Sequence, residues 1–537
     1  MGRKIFSERN FRVGGHVLPL SEFRPFLDRD GKMTVDPAQI PSIIARAEKL
    51  LGKEYPVTYA TEYMMFSRVG NRSVFEAKYF PRRKDLLSLA VAEFVEGKGR
   101  FLDAAVNLVW MILEETSWVL PAHNRQKPGL SCPLPYAYTE KVDYIDLFAA
   151  TTGADLAVVY YLLGGRIAAE ISPIVTDRIL YELRRRIIDP YLDMKTLIGM
   201  LGWAGVNGGR MNNWCPWITT NILTVAALTL DDTIAREAVV RNAISSLDAF
   251  TASYQSDGGC DEGPNYWHSA GGALFNGCEL LYDMTGGYIN VFDDILLRRM
   301  GEYEVKVVIN GPRVLNFADS PCKVNPDPML VYDWGVHTGS EMMRTFGQSR
   351  LDGKPCSSEI NNGSPYRSLR AIGNPVLPPC EFVAPLKFYF DGITVAGTRE
   401  CTQTDKGLYL AIKGGNNDES HNHNDLGTVM VFADGNPIFI DAGSGKYSRR
   451  SFSSERYDIW SNNSEYHNVA NVNGCPQKPG AQYRAENPVY DEKTGKLTLS
   501  LLHAYPEEAG LSSYEKSAEL LGGKITIVDD IAFTDKG

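Results

Sequence analysis

Histidine is scarce in this chain, with only 8 in 537 residues, so any cluster of them stands out. Other features are missing as well. No apolar run approaches the roughly twenty residues that a bilayer-spanning helix needs, so no membrane span is expected. Basic residues are outnumbered, 55 Lys and Arg against 65 Asp and Glu, giving a formal net charge of −10. Nucleic acid needs a basic field to bind, so it is not expected as a partner. The 9 cysteines are scattered, odd in number and form no C-x-x-C pair, which speaks against a disulfide framework and for reduced thiols. The opening stretch MGRKIFSERNFRVGGHVLPL carries basic residues but no apolar signal-peptide core. A cytoplasmic protein is therefore expected; a chain trimmed of its leader would read the same way and be periplasmic or secreted. Heptad seams, low-complexity tracts and clear internal repeats are also lacking.

What is present is ordinary in bulk and uneven in detail. Hydrophobic residues make up 44% and charged residues 22%, which excludes disorder as an overall description. The length exceeds what one core supports, so two or three domains are expected. The chain changes character once. From about residue 37 to 350, segments such as FLDAAVNLVWMILEETSW, AREAVVRNAISSLDAFTASY and GGALFNGCELLYDMTG carry apolar residues at helical spacing, punctuated by Gly and Pro. Successive amphipathic helices without intervening strands suggest stacked helical hairpins that close into an α/α toroid or continue as a solenoid. After the Pro/Gly/Ser-rich passage GKPCSSEINNGSPYRSLRAIGNPVLPPC, short strand-like runs take over, among them GLYLAIKGG, TVMVFADG and KITIVDDIAF. The expected fold class is α+β and multidomain: a helical toroid over residues 1–375, then an antiparallel β-sandwich over 376–537.

Four of the 8 histidines fall in the strand-rich part, and three of them lie close together, in SHNHNDLGTVMVFADGNPIFIDAGSGKY and SNNSEYHNV. The runs 428–432 and 437–440 are joined by Ala-Asp-Gly-Asn, a strong hairpin signal that folds Asp441 back beside His423. His467 opens a third segment with strand-like alternation and completes a His/His/Asp set suited to Zn²⁺ or another divalent metal such as Mn²⁺. His421 is then free for chemistry. Two alternatives use the same residues: His421 and His423, two apart on one strand face, both ligate metal as in a cupin-type barrel, or the histidines are buried and merely hydrogen-bonded.

Two loops in the helical part carry polar and aromatic residues where a toroid presents its cleft. In GVNGGRMNNWCPWITTNI, Asn212 and Asn213 precede Trp214; in SDGGCDEGPNYWHSAGG, Glu262, Tyr266, Trp267 and His268 follow a Gly-rich turn. Aromatics beside amides and acids suit stacking on sugar rings and hydrogen bonding to hydroxyls. The competing role for Asn212 is a helix N-cap, and for Tyr266 a core tyrosine with a satisfied hydroxyl.

The order Asn-Asn-Trp, D-E-G-P-N-Y, H-x-H-x-D, Asp in I-D-A-G, and His-Asn-Val resembles the heparinase II/III-type polysaccharide lyases, which include glycosaminoglycan lyases and some alginate lyases. The resemblance covers most of the chain and implies an incomplete α/α toroid followed by an antiparallel β-domain. It implies Tyr266 and His421 as catalytic residues, His423, Asp441 and His467 as zinc ligands with a mainly structural metal, and Asn212 and Asn213 as the place of the amide that holds a substrate carboxylate. Many relatives have Asn-His at that pair, so this chain has one potential base fewer. Relatives also usually carry more β-structure after the last strand, so the sandwich is expected to be incomplete.

The implied reaction is β-elimination in an anionic, uronic-acid-containing polysaccharide, most simply a glycosaminoglycan, with alginate as the alternative substrate. The C5 proton is removable only once the adjacent carboxylate is neutralised, an electrostatic task for an amide such as Asn213. A base takes the proton and an acid protonates the C4 leaving oxygen: Tyr266 in both roles, or His421 as base and Tyr266 as acid. Arg210 and Arg456, with Arg449 and Arg450, are the expected steering charges, and Trp214, Glu262, Trp267, His268, His123 and Trp460 the expected substrate-binding residues. The clusters Arg82-Arg83-Lys84 and Arg184-Arg185-Arg186 read as solvated helix faces more readily than as a basic cleft. Two other classes use the same residues: a metal-dependent hydrolase with a zinc-bound water, and a non-catalytic carbohydrate-binding protein.

Overall fold

Proline and short polar residues set the helix starts. A computed structural model describes residues 2–27, 31–124, 134–135, 144–194, 202–206, 208, 211–355 and 363–534. Seven of its helices matter here: α1 Ser73–Glu96, α2 Leu147–Arg166, α3 Trp214–Thr229, α4 Ala273–Met284, α5 Ile295–Val307, α6 Pro328–Thr338 and α7 Pro365–Gly373. Asp146 caps α2 by accepting from the Ala149 N–H, and Asp294 caps α5 from the Leu296 N–H. Asp327 and Ser364 cap α6 and α7, each with proline as the first helical residue, where its missing N–H has no cost.

The helices pack as an incomplete α/α toroid. At its centre α3 lies against α2, α4 and Thr233–Ser253, and it is buried nearly all round, its Thr219, Thr220, Asn221 and Thr224 included. The stretch Leu147–Ile171 is long and apolar enough to cross a bilayer by length and composition. Polar residues such as Thr151, Thr152 and Asp155 interrupt it, so it does not read as a span, and 83% of its most apolar window is buried inside the protein.

Helices give way to strands between Gly373 and Lys387. β1 Lys387–Phe390, β2 Val395–Arg399, β3 Leu408–Lys413, β4 Val429–Ala433 and β5 Asn436–Phe439 form an antiparallel sheet in chain order. β6 Glu486–Tyr490, β7 Leu497–Ser500, β8 Leu511–Leu521 and β9 Lys524–Phe533 form a second antiparallel sheet. The anticipated Asp-Gly hairpin is present: Ala433 pairs with Asn436, and Asp434 (φ 48°) and Gly435 (φ 71°) take the left-handed conformations of a two-residue turn.

The inner strands β2, β3 and β4 of the first sheet are buried on both faces, whereas the edge strand β5 is exposed. Leu410, Ile412, Val429 and Val431 meet Leu497, Leu499, Tyr514 and Ala518 of the second sheet, whereas Tyr409, Ala411, Met430 and Phe432 join the core of the helices. This explains why β3 and β4 read as unbroken apolar runs rather than as alternation. At the end of β3, Lys413 Nζ lies 2.6 Å from Asp425 Oδ1, with side chains 4% and 0% exposed. Lys413→Met removes one partner and leaves a buried carboxylate uncompensated, so it is expected to destabilise the protein by about 3–5 kcal/mol. Equilibrium urea unfolding checks this; an unchanged midpoint would refute it.

Candidate active site

Tyr266 is presented by a turn that only glycine can make. Gly263 has φ 86°, and a Cβ there would lie 2.6 Å from the Phe317 carbonyl oxygen, so the glycine lets two segments of the helical half press together. Pro264 then starts the single turn Pro264–Trp267. The Tyr266 hydroxyl lies 2.5 Å from the Tyr447 hydroxyl, and its ring stacks on His421 with centroids 4.2 Å apart and planes 23° from parallel. Burial pushes the Tyr266 pKa up to about 12, against the lowering effects of the Tyr447 hydrogen bond and the nearby Arg72 charge. Tyr266 therefore carries its proton at neutral pH.

His421 and His423 do not share a strand face. Both sit in the loop between Asn416–Asn417 and β4, and His421 takes a left-handed backbone conformation, φ 58°. That conformation is uncommon for a residue with a Cβ and is typical of functional sites. It separates the two rings: the His421 side chain is 18% exposed toward the cleft, and the His423 side chain is 0% exposed.

Between them stands Asp319, which sequence inspection did not single out. Its Oδ2 lies 2.8 Å from His421 Nδ1, 3.0 Å from the Tyr447 hydroxyl and 2.9 Å from Arg456 Nη2, and its Oδ1 lies 3.1 Å from His423 Nε2. Burial would raise its pKa, but the bonds to His421 and His423 and the Arg456 charge outweigh that and hold it well below the usual carboxylate range. The preceding Ala318 is also left-handed, φ 59°. The one available signal for Asp319 was a lone acid inside the apolar segment VLNFADSPC. Tyr447 stood in the GSGKY stretch beside the histidines and was passed over.

His423, Asp441 and His467 converge as anticipated, although neither histidine is on a strand: His467 follows the short turn Ser464–Tyr466. One potential ligand atom from each lies within 4.8 Å of the others, and all three residues are buried. His467 Nδ1 is 2.8 Å from Asp441 Oδ2, and its Nε2 faces the Ser461 carbonyl at 3.1 Å. Burial alone would lower the His467 pKa, but the Asp441 carboxylate holds it above the ordinary imidazole value. His423 Nδ1 is buried with no hydrogen-bond partner among the described residues. An orphaned imidazole nitrogen facing a carboxylate and a second imidazole suits a divalent cation.

The amide loop lies alongside. The Asn213 backbone N–H donates to Glu262 Oε1 at 3.1 Å, and Glu262 Oε2 is 3.5 Å from His421 Nε2. Asn213 is the residue just before α3, and its side chain makes no cap hydrogen bond to the helix. Asn212 does local work instead: its Oδ1 accepts from the Trp214 N–H at 3.1 Å. Glu262, 3% exposed, sits behind Asn213 and His421 and does not front the cleft as a sugar contact. Trp214 packs beside His123, centroids 4.8 Å apart, and His123 Nδ1 is held by Asp146 Oδ2 at 2.7 Å.

Other expected substrate contacts fall elsewhere. Trp267 is fully buried, stacked on Trp334 and donating to the Met300 carbonyl, so it is a core residue. His268 is exposed to a cavity of about 510 Å³ within the helical half, shared with Trp217. Arg456 is turned inward onto Asp319 and the Asn422 and Ser451 carbonyls, where it cannot greet a polymer. Trp460 is 56% exposed beside Tyr466. Arg210 lies outside the described residues. Arg450 is exposed and pairs with Glu455. Arg82 and Arg83 are not solvated: both are buried on Glu115. Arg186 is likewise buried on Glu182.

Tyr266, Asp319, Asn213 and Glu262 of the helical half thus meet His421 and Tyr447 of the strand-rich half along the seam between them. A crystal structure of heparinase III matches 96% of this chain and 74% of its own, with a TM-score of 0.59 at 14% identity. The fold is a heparinase-type polysaccharide lyase fold. A mutant heparan sulfate lyase from Pedobacter heparinus matches 92% of this chain and 74% of its own, with a TM-score of 0.50 at 12% identity. No sequence-family profile and no curated protein sequence matches the chain. The heparinase-type fold accounts for the architecture.

Proposed function

We propose that this protein is a polysaccharide lyase that cleaves a uronic-acid-containing polysaccharide, most simply a glycosaminoglycan, by β-elimination. The observation that carries this is the stacked Tyr266 and His421 pair, with Tyr447 at 2.5 Å from Tyr266 and Asn213 joined to the pair through Glu262, which accepts from the Asn213 backbone N–H and lies 3.5 Å from His421. The likeness to the heparinase III and heparan sulfate lyase structures supports it at the level of fold. Asn213 donates to the uronate carboxylate and neutralises it, which makes the C5 proton removable. His421, whose Nδ1 is bound to Asp319, presents Nε2 as the base. Tyr266, protonated at neutral pH, gives its proton to the C4 oxygen as the C4–O bond breaks and the C4–C5 double bond forms.

His423, Asp441 and His467 would hold a divalent metal, zinc in our proposal, whose contribution is to fix the loops that carry His421 and Tyr447. All three residues are buried at 7% exposure or less, which favours this structural role over a metal-water hydrolase. Incubation with hyaluronan, chondroitin sulfate, heparan sulfate and alginate, followed by the ultraviolet absorbance of unsaturated uronate ends, tests the function. Chain cleavage with saturated ends would establish a hydrolase, and binding without cleavage of any polymer would establish a carbohydrate-binding protein.

A further inference from the structure

Asp319 is placed between the reacting pair of His421 and Tyr447 on one side and the His423, Asp441 and His467 set on the other. Its side chain is 2% exposed, and every charged or titratable group within hydrogen-bond reach is a donor: His421 Nδ1, the Tyr447 hydroxyl and Arg456 Nη2 on Oδ2, and His423 Nε2 on Oδ1. A carboxylate can only accept, so both imidazole nitrogens that face it must carry hydrogen. For His421 this leaves Nε2 as the ring nitrogen through which a proton is taken up or released; it faces a second carboxylate, Glu262 Oε2 at 3.5 Å, which accepts its hydrogen bond once Nε2 carries the proton. For His423 it leaves the lone pair on Nδ1, the atom buried without a hydrogen-bond partner among the described residues.

We propose that Asp319 is a positioning residue that sets the tautomers of His421 and His423 together, preparing the first to take a proton and the second to bind a metal. An outer carboxylate that orients a metal-binding histidine is a common arrangement. Here the same carboxylate also orients the histidine at the reacting centre, so the two functions share one acceptor. The kinetic part of the idea rests on the lyase function proposed above; the tautomer part does not.

Asp319→Asn isolates this role because it keeps the volume and removes one acceptor. An amide has one oxygen and one NH₂, so in either orientation the NH₂ meets an imidazole N–H that had been bonded to oxygen. One or both rings must change tautomer or turn away. Losing the correct tautomer of a catalytic histidine in this way costs about 10²–10⁴-fold in turnover.

The test uses the full chain loaded with zinc, in wild-type, Asp319→Asn, Asp319→Glu and Tyr266→Phe forms. Histidine ring ¹⁵N spectra, metal content, kcat and KM are measured for each. In Asp319→Asn, the ring patterns of both His421 and His423 should change, bound metal should fall, and kcat should drop by about 10²–10⁴-fold with KM within about threefold. Tyr266→Phe should lower kcat while leaving both ring patterns and the metal unchanged. Asp319→Glu, which restores an acceptor, should recover part of the wild-type pattern and activity. Wild-type ring patterns in Asp319→Asn, or a change confined to one histidine, would overturn the proposal. Should the Asn variant not fold, the Glu variant decides: ring patterns unrelated to those of wild type would overturn it. If the wild-type protein cleaves no uronate polymer, the lyase function fails and the spectra still decide the role of Asp319.

Discussion

Tyr266→Phe is expected to lower kcat by about 10²–10⁴-fold or more while leaving KM nearly unchanged. The substitution keeps the ring and its stacking on His421 and removes only the hydroxyl. A pKa pushed up to about 12 means that this hydroxyl holds its proton until the leaving oxygen takes it. A phenol retained for packing would show no such loss. His421→Ala should be severe on either uronate epimer, because burial pushes up the pKa of both Tyr266 and Tyr447 and neither offers a phenolate to take the C5 proton in place of His421. Comparing both variants on glucuronate-rich and iduronate-rich polymers, with unsaturated ends measured directly, checks this. Near-wild-type turnover by Tyr266→Phe on either polymer would reject the assignment of the cleft.

His423→Ala should abolish stoichiometric metal binding and lower the melting temperature by about 5–10 °C, because the free energy of binding a metal to a folded site is also free energy of folding. Cutting away the imidazole removes one of three buried ligands, and it also leaves Asp319 Oδ1 without the donor it faces. The two effects separate in the metal-free protein. Chelation of the wild type should reproduce the metal-dependent part of the drop, and the variant should fall a little further. Elemental analysis finding no divalent metal in the wild-type protein would refute the metal centre, and an unchanged melting temperature in the variant would refute its coupling to folding.

Much of the architecture was legible because the periodicity switch and the cap residues are local. Asp327-Pro328 and Ser364-Pro365 mark helix starts without reference to anything distant, and Asp434-Gly435 marks its hairpin. The histidine cluster was legible by rarity. Its placement was not, because His421 and His467 lie in irregular loops, whose course no periodicity reports. Asp319 and Tyr447 were missed for a related reason: each gains its meaning from partners 102 and 181 residues away, respectively. Trp267 erred in the opposite direction. Beside Tyr266 in sequence, it points into the core while its neighbour points into the cleft, as adjacent residues on a helical turn do.

The inner strands that are apolar on both faces have a mechanical consequence. Because β3 and β4 contribute alternate side chains to the helical core and to the second sheet, parting the two halves would expose apolar surface on whichever side gave way. A swinging, jaw-like opening is thereby made expensive, and the spacing between Tyr266 and His421 is held at a fixed gauge. If the proposed lyase function holds, admission of the polymer falls to the surface loops, and either half expressed without the other should clump in solution rather than stand as a free unit.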